Sequence, residues 1–143
     1  NELSEVSVKE AEEGDVLEKG HVYVAPGGMH MEVVKAHGNT HRIKLDDLPP
    51  IGGLRPCANI MFDSLAKTDY DEIICIVLTG MGADGTNGIL SLNRTKPIHV
   101  IAQDAQTCVV YGMPRAIAEA GMVDEVVPLT AVAKTIIKNV GVK

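Results

Sequence analysis

A glycine-rich turn that carries one carboxylate is the part of this sequence best suited to chemistry. Residues 78–85 read Leu-Thr-Gly-Met-Gly-Ala-Asp-Gly, between an apolar run and a predicted helix. In an open parallel sheet, ligands and catalytic groups gather at the carboxyl ends of the strands. Asp84 would then stand at the amino end of the helix, where the dipole favours an ionised carboxylate. Such an aspartate suits a catalytic histidine that needs orienting, but Asp-Gly before a helix is also a common cap, and the spacing supports both interpretations equally.

The same turn also matches a dinucleotide-binding pattern, which is a different class of function. Gly80, Gly82 and Gly85 fit GxGxxG, and Asp104 follows about 20 residues later, near the place of a ribose-binding acid. Against this alternative, the helix predicted over residues 86–93 is short for the crossover of a nucleotide-binding unit. A single match to so short a pattern is weak, and the alternative stays open at this point.

The histidines and cysteines of the sequence predict neither a metal site nor a cofactor site. His37 and His41 have the i, i+4 spacing of zinc ligands, but Gly38 and Asn39 between them indicate a turn instead of a helix. The three cysteines form no CxxC pair, which favours a reducing compartment and a cytoplasmic location. They are Cys57, Cys75 and Cys108.

Composition excludes several classes of protein. The chain has 143 residues, 45% of them hydrophobic and 22% charged, as in one soluble domain or part of one. A net charge of −6, 3% aromatic residues and no basic cluster predict no nucleic-acid partner. The longest apolar run, residues 73–78, is far too short to enter a membrane as a spanning helix.

The elements that must position the turn follow from apolar periodicity and turn residues. Alternating helices and strands predict an α/β fold with a doubly wound, mostly parallel sheet, helices on both faces and an antiparallel hairpin. The predicted strands lie near residues 6–8 and over 20–25, 31–36, 40–45, 72–78, 98–103 and 123–128, and the helices over 58–66, 86–93, from Pro114 to Gly121, and after a capping Thr130.

Three of these elements carry sharper expectations about burial. The strand predicted over residues 72–78 is continuously apolar after Glu72, which predicts that it is covered on both faces. Two helices are predicted to bury one apolar face each. The faces are Ala58, Met61, Phe62, Leu65 and Ala66 in the first, and Val132, Ile136, Ile137 and Val140 in the last.

A longer segment follows the glycine-rich turn: residues 102–114 read AQDAQTCVVYGMP and come after LTGMGADG. This segment and its distance from the turn resemble the AQD…TCVVYGMP segment of the bacterial chemotaxis protein-glutamate methylesterases. The resemblance covers nearly the whole chain. Its other segments are residues 8–11 with 20–28, His30, residues 55–56 leading into 62–66, and residues 121–129.

The resemblance implies hydrolysis of methyl esters on receptor glutamates, with related deamidation of receptor glutamines, by a Ser-His-Asp mechanism. Asp84 falls on the triad aspartate, and Met81 falls on a methionine whose backbone amide could bind the oxyanion. Gly80, Gly82 and Thr107 are expected to line the same site. The implied partners are methylated chemotaxis receptors and a receiver domain N-terminal to this region, in the cytoplasm.

The chain also departs from the family pattern. The family's S-T-G-G serine and Q-H-M-P histidine segments are absent from it. None of its own serines has a GxSxG context; they are Ser4, Ser7, Ser64 and Ser91. We therefore expect residues 1–143 to be the C-terminal portion of a catalytic domain that lacks its N-terminal strands, is inactive and poorly stable alone, and carries only the aspartate. The alternatives are an inactive fragment or adaptor, or a dinucleotide-binding module.

Overall fold

The computed structural model describes residues 5–141, and the chain divides into two compact units after Asp69. The first unit contains β1 (Ser7–Glu10), β2 (His21–Val24), β3 (His30–Lys35), β4 (His41–Asp46) and α1 (Ala58–Leu65). The second contains β5 (Ile73–Val77), α2 (Thr86–Asn93), β6 (Ile98–Gln103), α3 (Gly112–Glu119), β7 (Glu125–Val127), a 3-10 turn (Leu129–Ala131) and α4 (Val132–Val140).

The first unit joins a parallel strand pair and an antiparallel hairpin. β1 and β2 run parallel, while β3 and β4 pair antiparallel from His30 opposite Asp46 to Lys35 opposite His41. Side chains alternate between the two faces of a strand, and Val33 of β3 and Ile43 of β4 form a small buried core with Ala11. The predicted hairpin is confirmed.

Helix α1 lies along β3, where the hydroxyl of Ser64 accepts the backbone N–H of Val33 at 2.9 Å. The predicted apolar face of this helix is only half-buried, because none of the α1 residues is buried within the described part of the chain. The expectation of a fully buried face was therefore wrong. The helix packs chiefly against one strand, and that strand covers only part of the apolar face.

The second unit is a three-stranded parallel sheet in the order β5-β6-β7, with helices between the strands. The central strand β6 is the most buried element, since its last four residues, 100–103, are all buried. The largest buried apolar side chains packed in this unit are Ile89, Leu92, Ile101 and Ile117. The predicted α/β class with parallel strands, helices and an antiparallel pair is confirmed.

Strand β5 corrects the expectation that its apolar run is covered on both faces. Cys75 and Val77 are buried, whereas Ile74 and Ile76, on the opposite face, are half-buried within the described residues. β5 is the outer strand of this sheet, so fewer neighbours cover it. On the covered face, burial raises the pKa of the Cys75 thiol to about 11.

The ends of two helices also differ from the sequence-based expectation. Helix α3 begins at Gly112, two residues before Pro114. Thr130 lies in the 3-10 turn and does not cap α4, which follows Ala131 without a side-chain cap. The 3-10 turn instead satisfies one backbone group before the helix, since the N–H of Ala131 donates to the carbonyl of Pro128 at 2.9 Å.

The buried face of α4 is rotated from the predicted one. Val132 and Thr135 are buried, whereas Ile137 and Val140 are more than half exposed. Thr135 can be buried because its hydroxyl donates to the carbonyl of Ala131 at 2.8 Å, which satisfies its polar atom inside the helix. None of the helices in residues 5–141 is long and apolar enough to cross a membrane.

Candidate active site

The loops that follow β5 and β6 meet at the carboxyl end of the three-stranded sheet. The loop after β5, residues 78–85, is the glycine-rich turn, and the loop after β6 covers residues 104–111. Gln103, the last residue of β6, joins them, although only 1% of it is exposed. Its Oε1 accepts the backbone N–H of Thr79 at 2.8 Å, and its Nε2 donates to the carbonyl of Thr107 at 2.9 Å.

Thr107 extends this connection to the segment after β7. Its hydroxyl donates to Asp104 at 2.6 Å and accepts the N–H of Leu129 at 3.0 Å. It also accepts a longer bond, 3.2 Å, from Nε2 of Gln103. Thr107 was predicted to line the site; in the structure it is an exposed residue whose bonds connect Gln103, Asp104 and Leu129.

The two loops are also bonded directly to each other. The hydroxyl of Thr79 donates to the carbonyl of Val110 at 3.0 Å and accepts the Val110 N–H at 2.9 Å, as a paired strand residue would. The N–H of Gly80 donates to the same Val110 carbonyl at 2.9 Å, and its own carbonyl accepts the N–H of Met113 at 2.9 Å. Gly80 is therefore held through both backbone groups.

Two glycines permit this close approach. A Cβ at Gly80 would lie 2.5 Å from the sulfur of Met113. A Cβ at Gly112 would lie 3.0 Å from both the carbonyl oxygen of Gly80 and the nitrogen of Gly82, which are backbone atoms that cannot rotate away. The site thus depends on Gly112, a residue the sequence-based reasoning did not single out, because only the folded chain brings it against the turn.

The catalytic candidates lie on the part of the turn that follows Gly80. Met81 is 86% exposed, and within residues 5–141 its backbone N–H has no hydrogen-bond acceptor. Gly82 adopts a φ of 85°, which turns the chain before Asp84. Asp84 is half-buried and is followed by the buried Gly85, which directly precedes α2. The turn therefore carries an exposed backbone donor three residues before the carboxylate.

Exposed apolar side chains surround the turn. Met81 and Val109 are 86% and 90% exposed, and Leu78 and Val110 are less so. Val110 is bonded to Thr79 and Gly80, so the two loops present these residues together. We call the four residues, Leu78, Met81, Val109 and Val110, the apolar rim. Large apolar side chains gathered on a surface commonly mark a binding site.

The structure brings the predicted residues Gly80, Met81, Gly82 and Asp84 together on one loop and places Thr107 on the neighbouring one. The sequence reasoning missed Gln103, whose only signal was a polar residue at the end of an apolar strand. Asp104, which the dinucleotide alternative requires, accepts both the N–H and the hydroxyl of Thr107 and so serves its own loop.

The other polar candidates lie elsewhere. His30 is buried in the first unit, where its Nε2 bonds the carbonyl of Pro49 at 3.0 Å. Within residues 5–141, histidine, cysteine and carboxylate side chains do not gather in threes at metal-binding distances.

Comparison with known proteins gives consistent matches along the whole chain. The family model described as CheB methylesterase matches residues 1–136. A protein-glutamate methylesterase/protein-glutamine glutaminase of Geobacillus kaustophilus is 42% identical over 97% of this chain, and one of Pyrococcus horikoshii is 46% identical over 96%. The chain spans 40% and 37% of the lengths of these two relatives.

A solved structure matches the fold as well. The crystal structure of the Thermotoga maritima CheB methylesterase catalytic domain superposes with a TM-score of 0.88 at 37% sequence identity. The match covers 96% of this chain and 71% of that one.

Proposed function

This chain belongs to the CheB methylesterase family, and from that premise we propose that it takes part in hydrolysing methyl esters on glutamate side chains of chemotaxis receptors. The observation that carries the proposal is the arrangement of the 78–85 loop. It carries Asp84 and the exposed residue Met81 on one short loop at the carboxyl end of a parallel sheet.

The proposed chemistry is acyl transfer through a serine, with Asp84 orienting the histidine that serves as base. The serine oxygen attacks the ester carbonyl, and its proton passes through the histidine to the departing methanol. Water then hydrolyses the acyl-enzyme to free glutamate. The N–H of Met81 is suited to bind the oxyanion that forms in each step. On a receptor glutamine, the same steps would release ammonia.

Two of the described serines and the histidine of the second unit are poorly suited to the other two roles. The hydroxyl of Ser64 donates to the carbonyl of Met61 at 2.6 Å and accepts the N–H of Val33. Its proton is therefore already hydrogen-bonded within the first unit. Ser91 is exposed on α2, and His99, the one histidine in residues 70–143, is bonded to Glu125. We therefore propose that residues 1–143 form the C-terminal portion of a catalytic domain whose serine and histidine lie outside them.

The remaining parts of the proposal concern the setting of the reaction. Methylated chemotaxis receptors are the proposed partners, and the apolar rim is placed to contact the receptor segment around the ester. An N-terminal receiver domain that regulates access to this site, and a cytoplasmic location, complete the proposal.

The direct test uses the full-length protein and methylated receptor in membranes. We expect release of methanol and recovery of free glutamate at the receptor, and release of ammonia from the unmodified receptor glutamines. A full-length protein that releases neither product, although it is folded and its receiver domain is phosphorylated, would contradict the proposal.

The dinucleotide alternative has its own measurement. Calorimetric titration of the full-length protein with NAD and NADP should show no binding, because Asp104 is held by Thr107 in its own loop. Micromolar binding that is lost in Gly82→Val would favour the nucleotide-binding function instead.

A further inference from the structure

We propose that Gln103 is a positioning residue for the hydrolytic reaction, acting through the loop that carries Met81 and Asp84. The inference rests on the proposed function, since it assigns the support of that same site. It concerns a residue that touches neither substrate nor reacting atoms. Its side chain instead anchors the 78–85 and 104–111 loops to the central strand β6.

The amide of Gln103 has its hydrogen bonds fully assigned inside the protein. Its oxygen meets the N–H of Thr79, which can only donate, so the orientation of the amide is fixed by chemistry. Both N–H groups then point to Thr107, one to its carbonyl and one to its hydroxyl. With 1% exposure, water cannot replace any partner that is lost.

The location of Gln103 explains why one side chain reaches all the segments. It ends the central strand, opposite Val127 of β7, with β5 on the other side. Toward β5 it bonds Thr79, and toward β7 it acts through Thr107, whose hydroxyl accepts the N–H of Leu129. The segments after all three strands are therefore connected through one amide and one hydroxyl.

The other bonds at the site act differently from this anchor. Those between Thr79 and Val110 join the two loops to each other, and the bond between Gly80 and Met113 joins the turn to the first turn of α3. The bonds between Thr79 and Val110 would survive a joint shift of both loops away from β6. Gln103 supplies the side-chain bonds that oppose that shift, and Met81 lies only two residues beyond the N–H that it holds. A displacement of about 1 Å at a reacting group can reduce turnover on the order of 100-fold.

The central test is Gln103→Leu in the full-length protein, assayed on methylated receptor. Leucine fills a similar volume but leaves the N–H of Thr79 and the carbonyl of Thr107 without a partner. We expect kcat to fall about 10- to 100-fold while KM changes less than about threefold, because the oxyanion donor moves and the rim still binds substrate. The matched control is Gln106→Leu, an exposed glutamine of the same loop, which should keep wild-type kinetics.

The hydroxyl of Thr107 gives a second, independent comparison. Thr107→Ser keeps the oxygen and should retain wild-type turnover, whereas the near-isosteric Thr107→Val should lose several-fold in kcat. Thr95→Val is the control, because the Thr95 hydroxyl bonds only the nearby carbonyl of Leu92, at 3.2 Å. If serine and valine variants behave alike, the hydroxyl has no positioning role and the inference fails.

Gln103→Glu adds a pH readout that a purely structural role would not produce. The carboxylate accepts the Thr79 N–H but cannot donate to the carbonyl of Thr107, whereas the protonated acid does both. Activity of this variant relative to wild type should therefore rise as the pH is lowered. A ratio that stays constant across pH, with both proteins folded, would contradict the proposal.

Hydrogen exchange separates failure of this inference from failure of the proposed function. In Gln103→Leu, peptides covering residues 78–85 should exchange faster, while those covering α2 should not. If the wild-type protein hydrolyses no ester, the function fails and exchange alone decides the anchoring. If the wild type is active and Gln103→Leu has normal kcat and exchange, the anchoring is wrong. Should Gln103→Leu not fold, the Thr107 and Gln103→Glu comparisons decide the question.

Discussion

The two ends of the three-stranded sheet are held by different kinds of bond. At the carboxyl end, the loops are joined by uncharged groups, chiefly Gln103, Thr79 and Thr107. Toward the amino end, Glu125 at the start of β7 accepts from His99 at 2.6 Å and from Lys138 of α4 at 2.8 Å. The carboxyl end is therefore held chiefly by neutral hydrogen bonds, with the Asp104 carboxylate accepting from Thr107 within its own loop, and the other end is held by charged groups.

This difference separates the part that positions the site from the part that fastens the last helix. Lys138 and Asn139 of α4 both bond Glu125, so the charged end holds α4 against the sheet. Acid should weaken that attachment. The neutral bonds around Gln103 do not titrate, so the geometry of the 78–85 loop should persist over the same pH range.

The largest effect on stability predicted from the comparison is at the neutral end. In Gly112→Ala, the added methyl group would press on backbone atoms of Gly80 and Gly82 at 3.0 Å and separate the two loops. We expect a loss of about 1–3 kcal/mol in the free energy of unfolding and about a 100-fold lower kcat, measured by denaturant titration and methanol release.

Gly27→Ala is the matched control for that prediction. Gly27 has no atom within 4 Å of the Cβ position and no positive φ, so alanine fits there without contact. If Gly112→Ala and Gly27→Ala have the same free energy of unfolding and the same kcat, the close approach at Gly112 contributes to neither.

An intermediate effect is expected at the charged end. Hydrogen bonds from Lys138, His99 and Asn139 lower the pKa of Glu125 to about 2 from its ordinary 4.5. A depressed carboxyl pKa contributes stability above the ordinary value and loses it as the pH falls toward the folded one. Thermal melts should therefore show stability lost between about pH 4.5 and about pH 2, and Glu125→Gln should flatten that dependence while lowering Tm at neutral pH.

Retention of the wild-type pH profile in Glu125→Gln would show that other carboxylates cause the acid sensitivity. Turnover at neutral pH is the second readout of this variant. It should remain close to wild type, because Glu125 lies away from the loops that hold the site.

The smallest effect is expected for an exposed ion pair on α3. Arg115 and Glu119 are four residues apart and bonded at 2.8 Å, but both side chains are about two-thirds exposed. Solvent screens such a pair, so Glu119→Gln should leave Tm nearly unchanged. If Glu119→Gln lowers Tm as much as Glu125→Gln does, the number of hydrogen-bond partners does not determine how much each carboxylate contributes to stability.

Much of the fold was predictable because its signals are local. The strand Ile98–Gln103 and the helix Thr86–Asn93 have the predicted bounds, since apolar runs and flanking turn residues define them within a few positions. The hairpin also follows from its own alternation and from the turn at Gly38. Which face of α4 is buried, in contrast, depends on neighbours far along the chain, and Ile137 and Val140 were assigned to the wrong side.

The residues of the candidate site also divide into those that a local sequence pattern reveals and those that depend on distant parts of the chain. Asp84 and Met81 are visible in the sequence because they share one short turn. Gln103 and Gly112 are not, since their contacts with Thr79 and Gly80 join residues more than 20 positions apart. Parallel strands create such contacts at their carboxyl ends, and no local pattern encodes them.

One pair of substitutions tests the central claim that the neutral, carboxyl end of the sheet is the catalytic one. Asp84→Asn and Asp124→Asn make the same chemical change at opposite ends, and Asp124 accepts the N–H of Val100 at 2.8 Å beside His99. The measurement is kcat for methanol release by the two full-length variants, with folding verified by circular dichroism. We predict that Asp84→Asn lowers kcat by about 10⁴, as loss of an orienting triad aspartate does, and that Asp124→Asn stays within about twofold of wild type. A folded Asp84→Asn protein with near-normal turnover would reduce Asp84 to a helix cap and contradict the account.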